Sequence, residues 1–256
     1  MNNILLVVLF LLLIYVSGKN GIKLFFSLIL NFILLMFMFV LISLGINSVI
    51  VTILVCLGIC YISLYMVNGK SIKTYSSFIS IFLVLVILTI GIYFVTKLSR
   101  IAGFGYESYE SINMFSYNVR IDFTNISISL ILIGLIGAII DSSMAISSAL
   151  YEIYLNNKKL SSSELFRSGM NIGKDILGTT VNTLLFAFLG EFMALLIWYK
   201  TGNYSFLDII NNKTFCSEVI KILSSAIGCL SVIPLTSLIT SKALKNNKLK
   251  REYGTD

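Results

Sequence analysis

Runs of apolar residues close to the length of a bilayer crossing recur from one end of this chain to the other. Seven can be drawn: Ile4–Val16, Leu24–Leu44, Ser48–Val67, Phe78–Thr96, Asn125–Leu150, Ile176–Trp198 and Ile220–Thr240. A crossing helix needs about 20 such residues. Only 12% of the residues are charged and 57% are hydrophobic, whereas soluble domains carry about 25% charged residues. One proline in 256 residues agrees with a chain of long helices. The expected fold is all-α: a polytopic transmembrane bundle of about seven spans. The first run is short, and a signal peptide competes for it. It lacks a basic leading region and a small-x-small cleavage site, which favours a retained span.

The basic residues set an orientation. Loops one, three and five and the tail together hold 13 of them, among them Lys19, Lys23, Lys70, Lys73, Lys158, Arg167 and Lys242. The alternate loops hold five, offset by Glu107, Glu110, Asp122 and Asp208. Positive residues hold loops in the cytoplasm, so the N-terminus is expected outside and the C-terminus inside. This placement also accounts for the net charge of +7 without nucleic acid as a partner. The tail from Lys242 to Arg251 is a topology signal, or a contact for anionic lipid. The whole chain, 1–256, reads as one integral membrane domain. Four N-terminal spans and an outer loop fill 1–123, three spans fill 124–241, and a basic tail fills 242–256.

The chain has no histidine, which removes HExxH zinc sites, Ser-His-Asp triads and histidine proton relays. Cys56, Cys60, Cys216 and Cys229 form no CxxC pair and imply no disulfide framework. In an apolar run Cys56 and Cys60 act as small hydrophobes. No metal site, catalytic group or cofactor is expected.

The stretch from Ile128 to Phe192 holds most of the polar residues found inside spans. At about 100° per residue, Gly134, Gly137, Asp141, Ala145, Ser148 and Glu152 fall within a band of about 80° on one helix. This small, polar stripe is expected to face away from lipid and to let another backbone approach. Ile139, about 160° from Asp141, is expected on the lipid face. A carboxylate at mid-helix costs about 2.5–3.5 kcal/mol, so such a group faces a bundle interior or a watery cavity. Asp141 therefore reads as a proton or ion carrier, or as a protonated acid bonded to a neighbouring helix. Glu152 extends that path to the inner boundary or is a solvated helix end.

The connector that follows starts with Ser161 and Glu164 at capping-box spacing. Leu165, Phe166 and Met170 give it an apolar side, so a short helix along the inner interface is expected. Gly169 and Gly173 permit a turn into the next span, marked by Lys174 and Asp175. Arg167 is placed to pair with Glu164 or Glu152. In the sixth span Thr179, Thr180, Asn182 and Thr183 form a polar face, and Glu191 puts a second acid at a different depth. Pro234 interrupts the last span, with Thr236, Ser237 and Thr240 after it; a cavity-lining kink and simple packing both fit. Glu218 and Lys221 are spaced to pair.

Three stretches, GLIGAIIDSSMAISSALYEI, ELFRSGMNIGKDILGTTVNTLLFAFLG and IGCLSVIPLTSLIT, resemble the YibE/F family of bacterial multi-span membrane proteins. The resemblance is closest in the second half of the chain and is one of pattern in the first four spans. It implies a transport role without an established substrate, residence in the bacterial cytoplasmic membrane as a multi-pass protein, and a larger companion of the same family or self-association. The chain resembles the family's shorter form. Ser142, Ser143 and Glu191 depart from the family pattern. A weaker likeness joins Asp141, Glu152, Gly169 and Thr179–Thr183 to the order of motifs in resistance–nodulation–division and SecD/SecF permeases, which is analogy at the level of fold.

Two functions follow from these residues: a transporter (permease) subunit driven by protonation of Asp141, or a non-conducting scaffold that stabilises a larger membrane partner. An intramembrane enzyme fits worst, because Asp141 has no second catalytic Asp to work with. The orientation is open to direct test. Single-cysteine labelling in a cysteine-free background should reach position 108, where Ser108 stands, from outside. It should reach position 162, where Ser162 stands, only after permeabilisation. The reverse pattern ends this topology.

Overall fold

The computed structural model describes residues 2–99 and 122–246, without the side chains of Asn2, Asn3, Lys19 and Glu191. Ser108, most of the outer loop and the tail beyond Asn246 lie outside the described residues. Within them the chain is helical and has no strand. The helices are α1 (Asn2–Ser17), α2 (Lys19–Ser43), α3 (Ser48–Tyr61, prolonged by a π-helical turn, Ile62–Met66), α4 (Ile72–Ser99), α5 (Phe123–Asn156), α6 (Ser162–Thr201), α7 (Phe206–Ile210) and α8 (Lys213–Lys245). Helix satisfies every backbone group within its own segment, as the bilayer demands.

Six of these helices are long and apolar enough to cross a membrane. The first apolar segment is not one of them. With 16 residues α1 extends about 24 Å, less than the roughly 30 Å hydrocarbon core. It doubles back on α2 at Gly18, whose φ of 55° suits glycine, and seats Phe10 against Phe25 with ring centroids 4.7 Å apart.

Polar residues between the spans start the helices. Asn47, Asp122 and Asn212 each accept backbone N–H groups of the following turn. Ser161 and Glu164 form the expected capping box: Glu164 N donates to Ser161 Oγ at 3.2 Å, and Ser161 N donates to the Glu164 carboxylate at 2.7 Å. Ser205 and Asp208 repeat it before α7, and the Ser205 hydroxyl and backbone N–H hold the Asp208 carboxyl below its ordinary pKa.

Helices α4, α5 and α8 form the centre. In their most apolar stretches α5 and α8 bury 44% of residues, against 11% for α2 and 6% for α6, so the last two are peripheral. The inward face of α5 is Ser129, Leu132, Ile136, Ile139, Ser143, Ile146 and Leu150, all buried. Their spacing alternates three and four, the pattern of a close-packed helix seam. Hydroxyls cross this seam. Ser77 of α4 lies 2.6 Å from Ser147 Oγ and donates to the Ser143 carbonyl at 3.3 Å, while Ser143 Oγ lies 2.9 Å from Thr236 Oγ1 of α8. Bonds of this kind average about 0.6 kcal/mol in a membrane.

Two expectations change here. Ile139 does not face lipid; it is fully buried against Gly228 of α8, where an added Cβ would come within 3.0 Å of its Cδ1. Nor does the chain turn at Gly169 and Gly173. Helix α6 runs unbroken through both for 40 residues. Each glycine instead admits another helix: a Cβ on Gly173 would lie 2.2 Å from Ile233 Cγ2, and one on Gly169 would lie 2.6 Å from Ser237 Oγ and 2.9 Å from Leu150 Cδ1. The amphipathic piece with buried Leu165 is therefore the first third of a crossing helix, docked on α5 and α8.

Basic segments far apart in sequence meet at one end of the bundle. Lys245 Nζ donates to the Lys158 carbonyl at 3.1 Å and lies over the Tyr154 ring, and Lys73 lies over Tyr151. Asn47 and Asp122 share a small pocket at the opposite end.

This packing predicts which bulk is tolerated. Gly173→Leu should lose about 1–3 kcal/mol by overpacking, and Ile139→Phe should also lower the melting temperature. Gly137→Leu should leave the isolated protomer unchanged, because a Cβ there meets nothing within 4 Å. Thermal unfolding of the monomer in detergent measures all three. Equal melting of Gly173→Leu and wild type would remove the α6–α8 contact from this account.

Candidate functional site

Asp141 sits at the middle of α5, 18 residues beyond Phe123, and opens onto a cavity of about 510 Å³. Three elements wall it. Helix α2 contributes Leu24, Ser27, Leu28, Asn31, Phe32 and Leu35. The π-helical turn and the residues after it contribute Ser63, Leu64, Val67 and Asn68, and α5 adds Ile140 and Met144 beside the acid. The cavity lies in the half of the bundle nearer the basic end, since α3 leaves it toward Ile72 and Lys73.

Local structure explains the polar groups that gather there. On α2, Ser27 and Asn31 are one turn apart and share a face. A π-helical turn is wider than an α-turn and recurs at functional sites; here it carries Ser63 against α2, where the Asn31 amide donates to Ser63 Oγ at 3.1 Å. That leaves Asn31 Oδ1 buried without a partner among the described residues. Ser27 is 5% exposed and lines the same cavity. A carboxylate, two amides and two hydroxyls thus stand on otherwise apolar walls, with no Lys or Arg among the described lining residues.

Sequence reasoning found Asp141 and missed its neighbours. Helix α2 reads as uniformly apolar, and its signal is slight: Ser27 and Asn31 are the only polar residues between Leu24 and Ile42. The cavity does not gather the other candidates. Glu152 is exposed 11 residues further along α5 and lines no part of it. The backbone at Glu191 belongs to α6, and its side chain lies outside the described residues.

The rest of the stripe on α5 faces outward. Gly134, Gly137 and Ala145 are exposed and Ser148 is half-buried, so within the protomer this is not the contact face. Thr179, Asn182 and Thr183 are likewise exposed on α6, and Thr180 is half-buried toward the bundle. The hydroxyls of Thr179 and Thr183 bond back to the carbonyls of Ile176 and Thr179. Lys174, Asp175 and Arg167 are exposed along α6. Among the described residues Arg167 pairs with neither Glu164, which is bonded to Ser161, nor Glu152. Glu218 and Lys221 do pair.

Pro234 lies within α8, which continues through it. Thr236, Ser237 and Thr240 after it are buried, and Thr236 Oγ1 is the group that meets Ser143 Oγ of α5. Cys56, Cys60 and Cys229 are free and buried, and act as small core residues. Among the described residues no group of three or more acids and cysteines is placed to hold a metal.

No curated protein and no solved structure matches this chain, which leaves the order of motifs shared with the resistance–nodulation–division and SecD/SecF permeases as an analogy. The family model described as YibE/F-like protein matches residues 5–246. With the match running through all six crossing helices, this membrane protein belongs to the YibE/F-like family.

Proposed function

We propose that this chain is a transporter subunit in which Asp141 takes and releases a proton from the cavity beside it. One observation carries the reading: the acid at the middle of α5 is exposed and lines a cavity walled by α2 and the π-helical turn. An intramembrane carboxylate is costly and persists where it serves a pathway or finds a partner. The cavity offers room for water or a solute, and polar groups on the facing helix. The carrier works without covalent chemistry, and among the described residues no second acid lines the cavity beside Asp141. The basic end of the bundle faces the cytoplasm of a bacterial cell by the positive-inside rule, so the cavity serves the inner side.

A second reading draws support from the outward polar faces. Gly134, Gly137 and Ala145 on α5, and Thr179, Asn182 and Thr183 on α6, suit a close approach by another membrane helix. A larger companion of the same family, or a second copy, would cover them. In the scaffold reading that docking is the whole function, and Asp141 need not titrate.

Carbodiimide labelling separates the two. Dicyclohexylcarbodiimide attacks a protonated carboxyl in apolar surroundings, so a proton carrier should give an adduct at Asp141 that fades as pH rises. Mass spectrometry of the purified protein reads this directly. In proteoliposomes with an imposed pH gradient, Asp141→Asn should fold and insert normally yet abolish proton-coupled flux, because the amide keeps the shape of the protonated acid and cannot titrate. Absence of the adduct at every pH, or unchanged flux in Asp141→Asn, would leave the scaffold.

A further inference from the structure

We propose that the cavity at Asp141 binds an amphiphilic ammonium ion: one cationic amine on an apolar body. The inference rests on the proton-carrier reading and names what exchanges with the proton. A volume of about 510 Å³ falls in the range of about 300–1,000 Å³ typical of small-molecule sites and far exceeds what a single inorganic cation fills. Its walls are mainly Leu, Ile, Val, Phe and Met, and among the described residues the one charged group on them is the Asp141 carboxylate. An anion would meet that carboxylate with no Lys or Arg among the described wall residues to offset it. A neutral apolar solute would leave the carboxylate, which is exposed on the rim of the protomer, without a partner at mid-membrane depth, where a charge is costly. An ammonium head satisfies it, and its N–H donors match two further groups. Asn31 Oδ1 is a buried acceptor with no donor among the described residues, and Ser27 is 5% exposed, lines the cavity and has no hydrogen bond among the described residues.

The mouth agrees with this ligand. Leu28 and Phe32 line the cavity and are also exposed on the outer surface of α2, so the opening is bordered by side chains that face lipid. An amphiphile dissolved in the bilayer reaches Asp141 from the side. Proton and ammonium then compete for one carboxylate: binding the amine requires the ionised acid, and protonation releases it. No bond to carbon forms or breaks.

The test uses the full chain in lipid nanodiscs and dansylcadaverine, a fluorescent primary ammonium whose emission shifts blue in apolar surroundings. Its N-acetyl derivative is the neutral control, and protein-free nanodiscs supply the background. Wild type should bind the ammonium probe at least tenfold more tightly than the acetylated one, and unlabelled hexylammonium should displace it. Asp141→Asn should erase that preference. Ser27→Leu, which fills the cavity and keeps the acid, should weaken binding of the ammonium probe, with gel filtration confirming that each variant is folded. Equal affinity for the two probes, an unchanged preference in Asp141→Asn, or displacement by sodium at the same concentration as hexylammonium would overturn the assignment. If the preference is absent while carbodiimide labelling of Asp141 still fades with rising pH, the proton carrier survives and the ammonium ligand falls. If labelling also fails, both fall.

Discussion

Between helices in a bilayer, close packing and hydrogen bonds do the work that water exclusion does in a soluble core, because lipid tails are as apolar as leucine. The centre of this protein is built on that constraint. Ser77, Ser143, Ser147 and Thr236 link α4, α5 and α8 through hydroxyls, and Gly228 lets Ile139 and Leu88 close over it. Each bond is small. Together with the three–four spacing along α5 they fix which side of the helix faces in, and that choice settles where Asp141 can be. The inward seam takes the side carrying Ile139 and Ser143, so the acid, about 160° from Ile139, is left on the rim.

That arrangement explains what the sequence disclosed and what it hid. The crossing helices were legible because length and hydropathy are local properties of each run. The capping box at Ser161 and Glu164 was legible because a cap is made within four residues. The facing of α5 was not. A stripe of Gly, Ala, Ser and Asp satisfies the usual picture of a membrane interface, and so does the seam of Ser129, Ser143 and Ile139 on the other side. Amphipathicity cannot choose between them, since neither side is driven inward by water. The alternation of three and four from Ser129 to Leu150 was present in the sequence, but the stripe bearing the charge drew the reading.

Gly169 and Gly173 carry a related lesson. Glycine pairs permit turns and also permit contact, and only the neighbours decide which. Here Ile233 and Ser237 of α8 occupy the space that side chains would take, which turns two apparent hinge residues into the docking face of a 40-residue helix. The cavity residues on α2 were hidden for a different reason. Ser27 and Asn31 acquire meaning only once a π-helical turn brings Ser63 to Asn31 and α5 brings Asp141 to the same space. That juxtaposition joins residues 27, 63 and 141, and nothing local to any of them announces it.

The walls of the cavity differ in how firmly they are held, which bears on how anything enters it. Helix α5 is anchored by the hydroxyl seam and by packing on α3, α4 and α8. The end of α3 is tied to α4 by a short connection and by the ring contact of Tyr65 with Phe78. Among the described residues α2 packs mainly on α1 and on α3 with its π-helical turn, with 11% of its apolar stretch buried. Regions with few buried contacts open at the lowest free energy. In the proposed route from the bilayer, a small displacement of the α1–α2 hairpin would break the Asn31–Ser63 hydrogen bond and widen the mouth beside Leu28 and Phe32, with the seam of α4, α5 and α8 left closed. The Asp141 side of α5 thus combines a firmly packed helix with a loosely packed wall, the division of labour that the proposed loading from the bilayer would require.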